Sequence, residues 1–230
     1  MEFHIPKTKK AREKFEGIIK AADNEFYLNG YEKSSIANIT AAAGIAVGTF
    51  YLYFKDKISL YHYILFDYQK RIKKYINARL STCTNRYEKE RMGLIAWLEF
   101  IADNPHTYNI IWQSLIIDKS LFIDYYKKFL SAYALGLIED KDQLEDSDYE
   151  TLALSLMGIS SFLGLKHMIE DRKLTIEEIT KMADTIMTAL KQGMFKKNMQ
   201  WSMFLFILFN KSFNKRNDIF NIFRISNTKP

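Results

Sequence analysis

Side chains that can bind phosphate are concentrated in one short stretch of this sequence. Between residues 49 and 57 the chain carries three hydroxyl side chains and two lysines, namely Thr49, Tyr51, Tyr53, Lys55 and Lys57. Such groups hold phosphate oxygens and set the register of a protein on a duplex, while neighbouring side chains read the base edges. The stretch therefore predicts contact with a nucleic-acid backbone.

Two short helices joined by a glycine turn are predicted to position these groups. Ser35 can cap a first helix that reaches Ala43, and Gly44 can take the left-handed backbone angle that turns the chain sharply out of it. The second helix is predicted to run to about Phe54, with Phe50 and Phe54 as its apolar anchors. This arrangement suits a helix-turn-helix, whose second helix enters the major groove.

The residues at the start of the second helix are therefore candidates for base contact. We expect Thr49 and the exposed surface around Val47 and Gly48 to approach phosphates or base edges, and Ser35 to anchor the first helix to the DNA backbone. Tyr51, Tyr53, Lys55 and Lys57 are predicted to hold phosphates. An ordinary helical hairpin with a tyrosine-rich edge is the alternative structural interpretation.

The same stretch resembles the signature of the TetR family of bacterial one-component transcriptional regulators. The matching positions are Gly44, Gly48, Thr49, Tyr51, Tyr53, Phe54, Lys55 and Lys57, with Phe15, Ala22, Phe26, Gly30 and Tyr31 upstream. Ala46 departs from it, because the family often has a capping serine there, and Thr40 stands where alanine is common. The resemblance covers about the first sixty residues and implies a homodimer with a ligand-responsive helical domain, most often a repressor.

Composition favours an all-α protein. Only three prolines and nine glycines interrupt 230 residues of which 48% are hydrophobic, and strand-like alternation is scarce. Together with the motif, the family resemblance implies a three-helix DNA-binding domain with a helix-turn-helix at 1–56 and a helical effector-binding and dimerisation domain at 57–194. The atypical basic, Phe- and Asn-rich tail at 195–230 is the third expected part. The single Cys83 and the lack of a signal-peptide pattern predict a cytoplasmic protein.

The net charge of +6 is not evidence for DNA binding. The tail from Phe195 holds seven Lys or Arg and one Asp, so the preceding residues are neutral overall. Evidence must come from local placement instead, and one positive face is predicted from Lys7, Lys9, Lys10, Arg12, Lys14, Lys55 and Lys57.

Apolar spacing predicts the remaining helices. A first helix is expected from Lys7 to Asn29, and Asp56 can cap a long helix from Lys57 to Leu80 that connects the two domains. Further helices are predicted at 87–103, 105–117 and 120–138. Tilting of the long helix would transmit a signal between the domains.

An aromatic-rich region in these later helices is a candidate effector pocket. The six predicted lining residues are Trp97, Glu99, Phe100, Tyr108, Trp112 and Tyr126. A densely packed aromatic core uses the same residues, so composition leaves pocket and core equally open. The family resemblance favours the pocket, and a small hydrophobic or planar effector such as an acyl thioester, drug or dye would suit it.

The helices at about 149–170 and 175–194 are predicted to form a homodimer. The first is apolar on every side, so it must be covered all round, and in the family the last two helices pair with their copies. A two-fold dimer predicts a palindromic operator. The tail is interpreted as an added docking helix, a membrane-surface or nucleic-acid arm, or an extension without selected function, the last being favoured.

No enzymatic chemistry is predicted. The sequence has no phosphate-binding glycine loop after a strand, no paired-cysteine metal motif and no serine elbow. His62, His106 and His167 are scattered and are interpreted as separate structural residues, so neither a metal nor a cofactor is expected. The alternative function is a helical small-molecule-binding or scaffold protein that does not bind DNA specifically.

Overall fold

The computed structural model of the chain describes residues 3–145, 148–170 and 172–192, except for the side chains of His167 and Gln192. These residues form nine α-helices and one short 3-10 turn at Lys141–Gln143. The helices are α1 (Lys9–Lys33), α2 (Ile36–Ala42), α3 (Val47–Phe50), α4 (Lys57–Leu80), α5 (Arg86–Asp103), α6 (Pro105–Ile117), α7 (Lys119–Glu139), α8 (Tyr149–Glu170) and α9 (Ile176–Gln192). The all-α prediction is confirmed.

Two glycines shape the N-terminal part of the chain. Gly30 has φ 73° and interrupts α1 near its end, while Gly44 has φ 66° and turns the chain between α2 and α3. Ser35 caps α2 by accepting a hydrogen bond of 3.0 Å from the Asn38 N–H. The predicted turn and cap are therefore both present.

The second helix of the helix-turn-helix is shorter than the sequence predicts. It ends at Phe50 rather than near Phe54. The residues that follow form turns whose hydrogen bonds span three residues instead of four, such as the bond of 3.0 Å from the Tyr53 N–H to the Phe50 carbonyl. The Tyr53 carbonyl in turn accepts a hydrogen bond of 2.8 Å from the His4 N–H, and Phe3 bridges Phe54. The N-terminal segment is thus tied to the chain just beyond α3.

A buried core joins these short helices to α4. Phe15, Ile18, Phe26, Phe50 and Phe54 are at most 2% exposed and pack with Leu60, Tyr61 and Ile64 of α4. Asp56 caps α4 in a capping box with Ser59, as its position before the helix predicts. The start of α4 is therefore part of the same packed unit as the helix-turn-helix.

The later helices begin and end within one residue of their predicted bounds, except that the predicted end of the last helix at 194 lies outside the described residues. By their contacts, the described residues as far as Met187 form one compact unit, and the unit that begins at Thr188 is described only as far as Gln192. The predicted boundary at residue 56 remains an expectation, and the predicted tail at 195–230 lies outside the described residues. By length and composition alone α8 could cross a membrane, but a packed helix of a soluble protein passes the same test.

Candidate nucleic-acid interface and effector region

Three large side chains project outward from α3 and the turn that follows it. Val47 is 45% exposed, Tyr51 is 55% exposed and Leu52 is 67% exposed. Gly48, between them, is also exposed, and Thr49 is half-buried. These side chains form an outward surface, on which the Tyr51 ring also contacts Phe50 edge-on with ring centroids 5.3 Å apart.

Three other residues of the same stretch face inward and hold it in place. Phe50 and Phe54 are 0% and 1% exposed, and Phe54 stacks on Phe15 of α1 with ring centroids 5.2 Å apart. Tyr53 is also buried, and its hydroxyl donates a hydrogen bond of 3.2 Å to the Ala11 carbonyl. Tyr53 therefore fixes α1 against α3 instead of projecting with Tyr51.

Lys57 likewise has partners inside the protein. Its Nζ donates hydrogen bonds of 2.7 Å to the Tyr31 carbonyl and 2.9 Å to the Ser34 carbonyl, and lies 4.1 Å from the centre of the Tyr31 ring. These contacts fasten the end of α1 to the start of α4. An ammonium group has three N–H donors, so a phosphate contact would use the third.

The basic N-terminal residues lie beside this surface. Lys7, Lys9, Lys10, Arg12 and Lys14 are all exposed. The contacts of His4 with Tyr53 and of Tyr53 with Ala11 place their segment next to the end of α3. Lys55, which follows Phe54 in the sequence, is also exposed. The local placement of positive charge that the sequence predicts is therefore compatible with phosphate contact.

Four of the six predicted pocket residues belong to one row of aromatic rings. Trp97 of α5 lies 6.5 Å from Tyr108 of α6, which lies 6.1 Å from Trp112, by ring centroids. Phe122 of α7 connects Trp112 to Tyr126 at 6.3 Å and 4.6 Å. The row continues through Tyr125 to Phe129. Three helices thus contribute to one aromatic region.

Some polar atoms of this row have hydrogen-bond partners within the described part of the chain and others do not. The Trp97 indole donates to the Ser160 carbonyl of α8 at 3.0 Å, and the Tyr108 hydroxyl donates to the Ser161 carbonyl. The Tyr125 hydroxyl is buried without a hydrogen-bond partner among the described residues, and burial raises its pKa well above the usual value. A buried hydroxyl without a partner costs about 1–3 kcal/mol, so this atom is a candidate ligand contact.

The other two predicted pocket residues contact α4. Glu99 forms an ion pair of 2.9 Å with Arg79 and accepts a hydrogen bond of 3.2 Å from the Tyr75 hydroxyl. Phe100 is 5% exposed and packs edge-on against Tyr75, with ring centroids 5.7 Å apart. The structure therefore separates Glu99 and Phe100 from the aromatic row and places them where α5 meets the C-terminal half of α4.

A carboxylate connects α1 to α4 and α6. Asp23 of α1 accepts a hydrogen bond from the Tyr68 hydroxyl of α4 and lies 3.1 Å from His106 Nδ1 at the start of α6. The His106 ring stacks on Tyr27 of α1 with centroids 3.9 Å apart. Burial raises the pKa of Asp23, and contact with His106 opposes that rise. One side chain of α1 thus contacts two other helices, α4 and α6.

The histidines show no metal-binding arrangement in the described part of the chain. His62 pairs with Asp118 at 3.0 Å, and His106 pairs with Asp23 as above. The side chain of His167 lies outside the described residues. No group of three His, Cys, Asp or Glu side chains is close enough to hold a metal ion among those that are described.

Apolar side chains are also exposed along α8. Leu154, Phe162 and Ile169 are 57%, 68% and 66% exposed and follow one another at a spacing of about two turns. The opposite side of α8 packs inside the chain, where Ala153 and Leu156 are buried. A Cβ atom on Gly164 would lie 2.8 Å from the Tyr108 ring, so that glycine permits the close approach of α8 and α6.

Sequence reasoning overlooked two of these residues. Leu52 reads as one more core residue in an apolar stretch, and only its exposure shows that it faces outward. Asp23 is separated from His106 by 83 positions, so no local pattern could pair them. A polar residue on the otherwise apolar side of α1 was the one available indication.

Comparison with known proteins connects these features to regulators of transcription. Residues 18–64 match the model of the bacterial regulatory proteins of the tetR family. The chain is 26% identical over 195 residues to the HTH-type transcriptional regulator YdgC of Bacillus subtilis. This alignment covers 78% of this chain and 92% of YdgC. It is 32% identical over 110 residues to the fatty acid metabolism regulator protein of Bacillus subtilis, covering 46% of this chain and 54% of that protein.

Solved structures show the same fold. The fatty acid degradation regulator FadR from Bacillus halodurans has a TM-score of 0.70 at 20% identity, covering 84% of this chain and 100% of that one. FadR from Bacillus subtilis, solved in complex with stearoyl-CoA, has a TM-score of 0.65 at 19% identity, covering 79% and 100%. The similarity thus extends through the helices that follow the helix-turn-helix.

Proposed function

This chain belongs to the tetR family of bacterial regulatory proteins and is a ligand-responsive DNA-binding regulator, and we propose that it represses transcription from a palindromic operator. The observation that carries the proposal is the division of the helix-turn-helix into two sides. Val47, Tyr51 and Leu52 project outward, whereas Phe50 and Phe54 anchor the same stretch in the core. Such a surface is available to the major groove without unfolding.

Phosphate contacts would flank this surface on both sides. We assign them to Ser35, Thr49, Tyr51 and Lys55, with the exposed basic residues before and within the start of α1. Tyr53 and Lys57 would act mainly by positioning, because their polar groups already bind backbone carbonyls. Val47 and Gly48 would approach base edges.

The decisive experiment is DNA binding by the full chain, measured by fluorescence anisotropy. The probe is the duplex upstream of the gene, with a scrambled duplex of equal composition as control, at two salt concentrations. We expect tight, selective binding. The logarithm of the association constant should fall linearly with the logarithm of the salt concentration, with a slope of about −0.9 for each phosphate contacted. If genome-wide selection of bound fragments also yields only nonselective binding, the alternative of a helical ligand-binding or scaffold protein is favoured.

Self-association would occur through α8 and α9, at about 149–170 and 175–194. The exposed row of Leu154, Phe162 and Ile169 supports this proposal, since a second copy would cover it. Sedimentation velocity should show a dimer that Phe162→Asp converts to a monomer. Ile116→Asp changes an 81% exposed residue of α6 and serves as the matched control. A monomeric parent protein would contradict the dimer.

The effector that we propose is a long-chain acyl thioester. The aromatic row offers an apolar environment for an alkyl chain, and the Tyr125 hydroxyl offers a hydrogen-bond donor for a thioester carbonyl. The similar proteins supply the choice of acyl thioester among hydrophobic compounds, because two are fatty acid regulators and one was solved with stearoyl-CoA. Trp97, Tyr108, Trp112 and Tyr126 would line the alkyl chain.

Stearoyl-CoA is therefore the probe for the effector site. It should release the protein from operator DNA, whereas coenzyme A and stearate, added separately, should not. Tyr125→Phe should weaken stearoyl-CoA binding without lowering the melting temperature, because the lost hydroxyl has no partner in the described chain. Tyr61→Phe is the matched control, since its hydroxyl donates to the Ile110 carbonyl at 2.5 Å and its loss should lower stability only. Equal responses to the three compounds would contradict the proposal.

The route from effector to DNA would run through α4 and α6. Glu99 and Phe100 connect α5 to the C-terminal half of α4, and Asp23 connects α1 to both α4 and α6. A shift of these helices would change the separation of the two DNA-binding units of a dimer. Effector that weakens DNA binding without changing that separation would contradict this mechanism.

We place this activity in the cytoplasm and assign it no catalytic residue. The similar proteins named above are regulators, and their function requires access to DNA. A cytoplasmic location also agrees with the single Cys83. Neither a cofactor nor a metal has a part in the proposed mechanism.

A further inference from the structure

The stretch that faces DNA contains none of the side chains most used to read bases. From Val47 to Phe54 the sequence is VGTFYLYF, without Arg, Lys, Asn, Gln, Asp or Glu. Direct readout in the major groove relies mainly on such residues, because their donors and acceptors pair with base edges. In this stretch only the hydroxyls of Thr49, Tyr51 and Tyr53 can do so, and Tyr53 faces inward.

Apolar side chains occupy the outward surface instead. Val47 and Leu52 are 45% and 67% exposed, although Phe50 and Phe54 beside them show that apolar residues can be buried here. The apolar group that DNA presents in the major groove is the C5-methyl group of thymine. Contact between these side chains and thymine methyl groups would remove apolar surface of both partners from water.

Gly48 lies next to Val47 in α3, and the fold of the chain does not require a glycine there. Its φ is not in the left-handed region, and an added Cβ would meet nothing within 4 Å. Alanine at a helical position is more stable than glycine by up to about 1 kcal/mol, so the protein forgoes some stability. A missing side chain lets a duplex approach the backbone more closely.

We propose that Val47 and Leu52 determine operator specificity by contacting thymine methyl groups, with Gly48 permitting the close approach. This inference rests on the proposed DNA-binding function and adds the base that is recognised. Each half-site would contain one or two thymines whose methyl groups, rather than their hydrogen-bonding edges, carry the discrimination. Leu52 is the residue that we add to the interface.

The test removes single methyl groups from the DNA. An operator is first selected from random duplexes with the full chain, and each thymine in it is then replaced by deoxyuridine. One or two replacements per half-site should each weaken binding about fourfold, the value of one buried methyl or methylene group. Leu52→Ala or Val47→Ala should abolish the effect of one replacement. Leu28→Ala changes a leucine of α1 that is 65% exposed, and it should leave every replacement effect unchanged.

Gly48→Ala gives an independent reading of the same contact. It should weaken operator binding at least tenfold while leaving the melting temperature unchanged or higher, so a loss through misfolding is recognised at once. A selected operator that tolerates all thymine replacements contradicts this inference but leaves the proposed function standing. Replacement effects that persist fully in both alanine variants contradict the assignment to Val47 and Leu52. If no operator is selected at all, the proposed function fails first.

Discussion

Two regions of this molecule use similar residues for opposite purposes. On the outer side of α3, apolar and aromatic side chains remain largely exposed. In the row between α5 and α7, rings contact one another, and burial raises the pKa values of Tyr108, Tyr125 and Tyr126. Substitutions on the first surface should therefore change DNA binding more than stability, whereas substitutions in the second region should change packing and stability directly.

The largest expected difference between the two kinds of residue is that between the neighbours Phe50 and Tyr51. Phe50→Ala removes a ring that is 0% exposed and should cost about 3–5 kcal/mol of unfolding free energy, enough to unfold the DNA-binding helices. Tyr51→Ala should cost only about 0.5–1.5 kcal/mol, because Tyr51 is 55% exposed and loses mainly its edge-on contact with Phe50, whose ring centroid is 5.3 Å away. Urea unfolding followed by circular dichroism measures both.

DNA binding completes this pair of measurements. Tyr51→Ala should weaken operator binding although the protein remains folded, since a phosphate contact is lost. Two variants with equal stability loss would contradict the division of α3 into an outer and an inner side. An unchanged operator affinity in Tyr51→Ala would remove Tyr51 from the interface while leaving the fold as described.

The same division explains what the sequence could predict. Gly44, Ser35 and Asp56 act on backbone groups within a few residues, so their turn and caps follow from local chemistry. The sequence predicts phosphate contact for Tyr53 and Lys57 as well as for Tyr51, because all three are polar and closely spaced. Their inward direction depends on Ala11, Tyr31 and Ser34, which local reasoning does not bring near.

The aromatic region was predictable in composition but not in arrangement. Trp97, Tyr108, Trp112 and Tyr126 lie in one row because α5, α6 and α7 bring them together. Glu99 is two positions from Trp97, which is about 200° around a helix, and it therefore points toward α4. Spacing along α5 could have separated these two residues, whereas the identity of the helix facing each of them required the tertiary fold.

Lys57 and Lys55 extend the comparison to charged residues. Lys57→Met should cost about 2 kcal/mol, because it removes two charge-assisted hydrogen bonds that hold the end of α1. Lys55→Met should instead lower the slope of operator affinity against salt by about one phosphate contact. Thermal unfolding and salt titrations of both variants measure these effects.

The two lysine variants also provide controls for each other. A salt slope that falls by about one in Lys57→Met would show that its remaining donor binds a phosphate. A salt slope that does not change in Lys55→Met would remove Lys55 from the interface. Stability that is equal to the parent in Lys57→Met would contradict the clamp between α1 and α4.

The smallest expected effect concerns Asp23, which belongs neither to the outer surface of α3 nor to the aromatic row. Burial raises the pKa of Asp23 above the ordinary value of 3.8. The folded chain therefore binds a proton on the Asp23 carboxylate more tightly than the unfolded chain does. Its contribution to stability is therefore greatest at low pH and is lost as the pH rises from 3.8 through the raised pKa. Asp23→Asn should abolish this part of the pH dependence, which melting temperatures between pH 3.5 and 7 would show.

Coupling between the two regions should depend on the same residue. His106→Gln removes the contact that opposes the rise in the pKa of Asp23, so the pH window should move further upward. Because Asp23 connects α1 to α4 and α6, both variants should also reduce the effect of stearoyl-CoA on operator affinity several-fold, a loss within the range reported for residues between coupled sites. A shifted pH window with unchanged release from DNA would assign Asp23 to stability alone, and the signal would then have to pass through Glu99, Phe100 and α4.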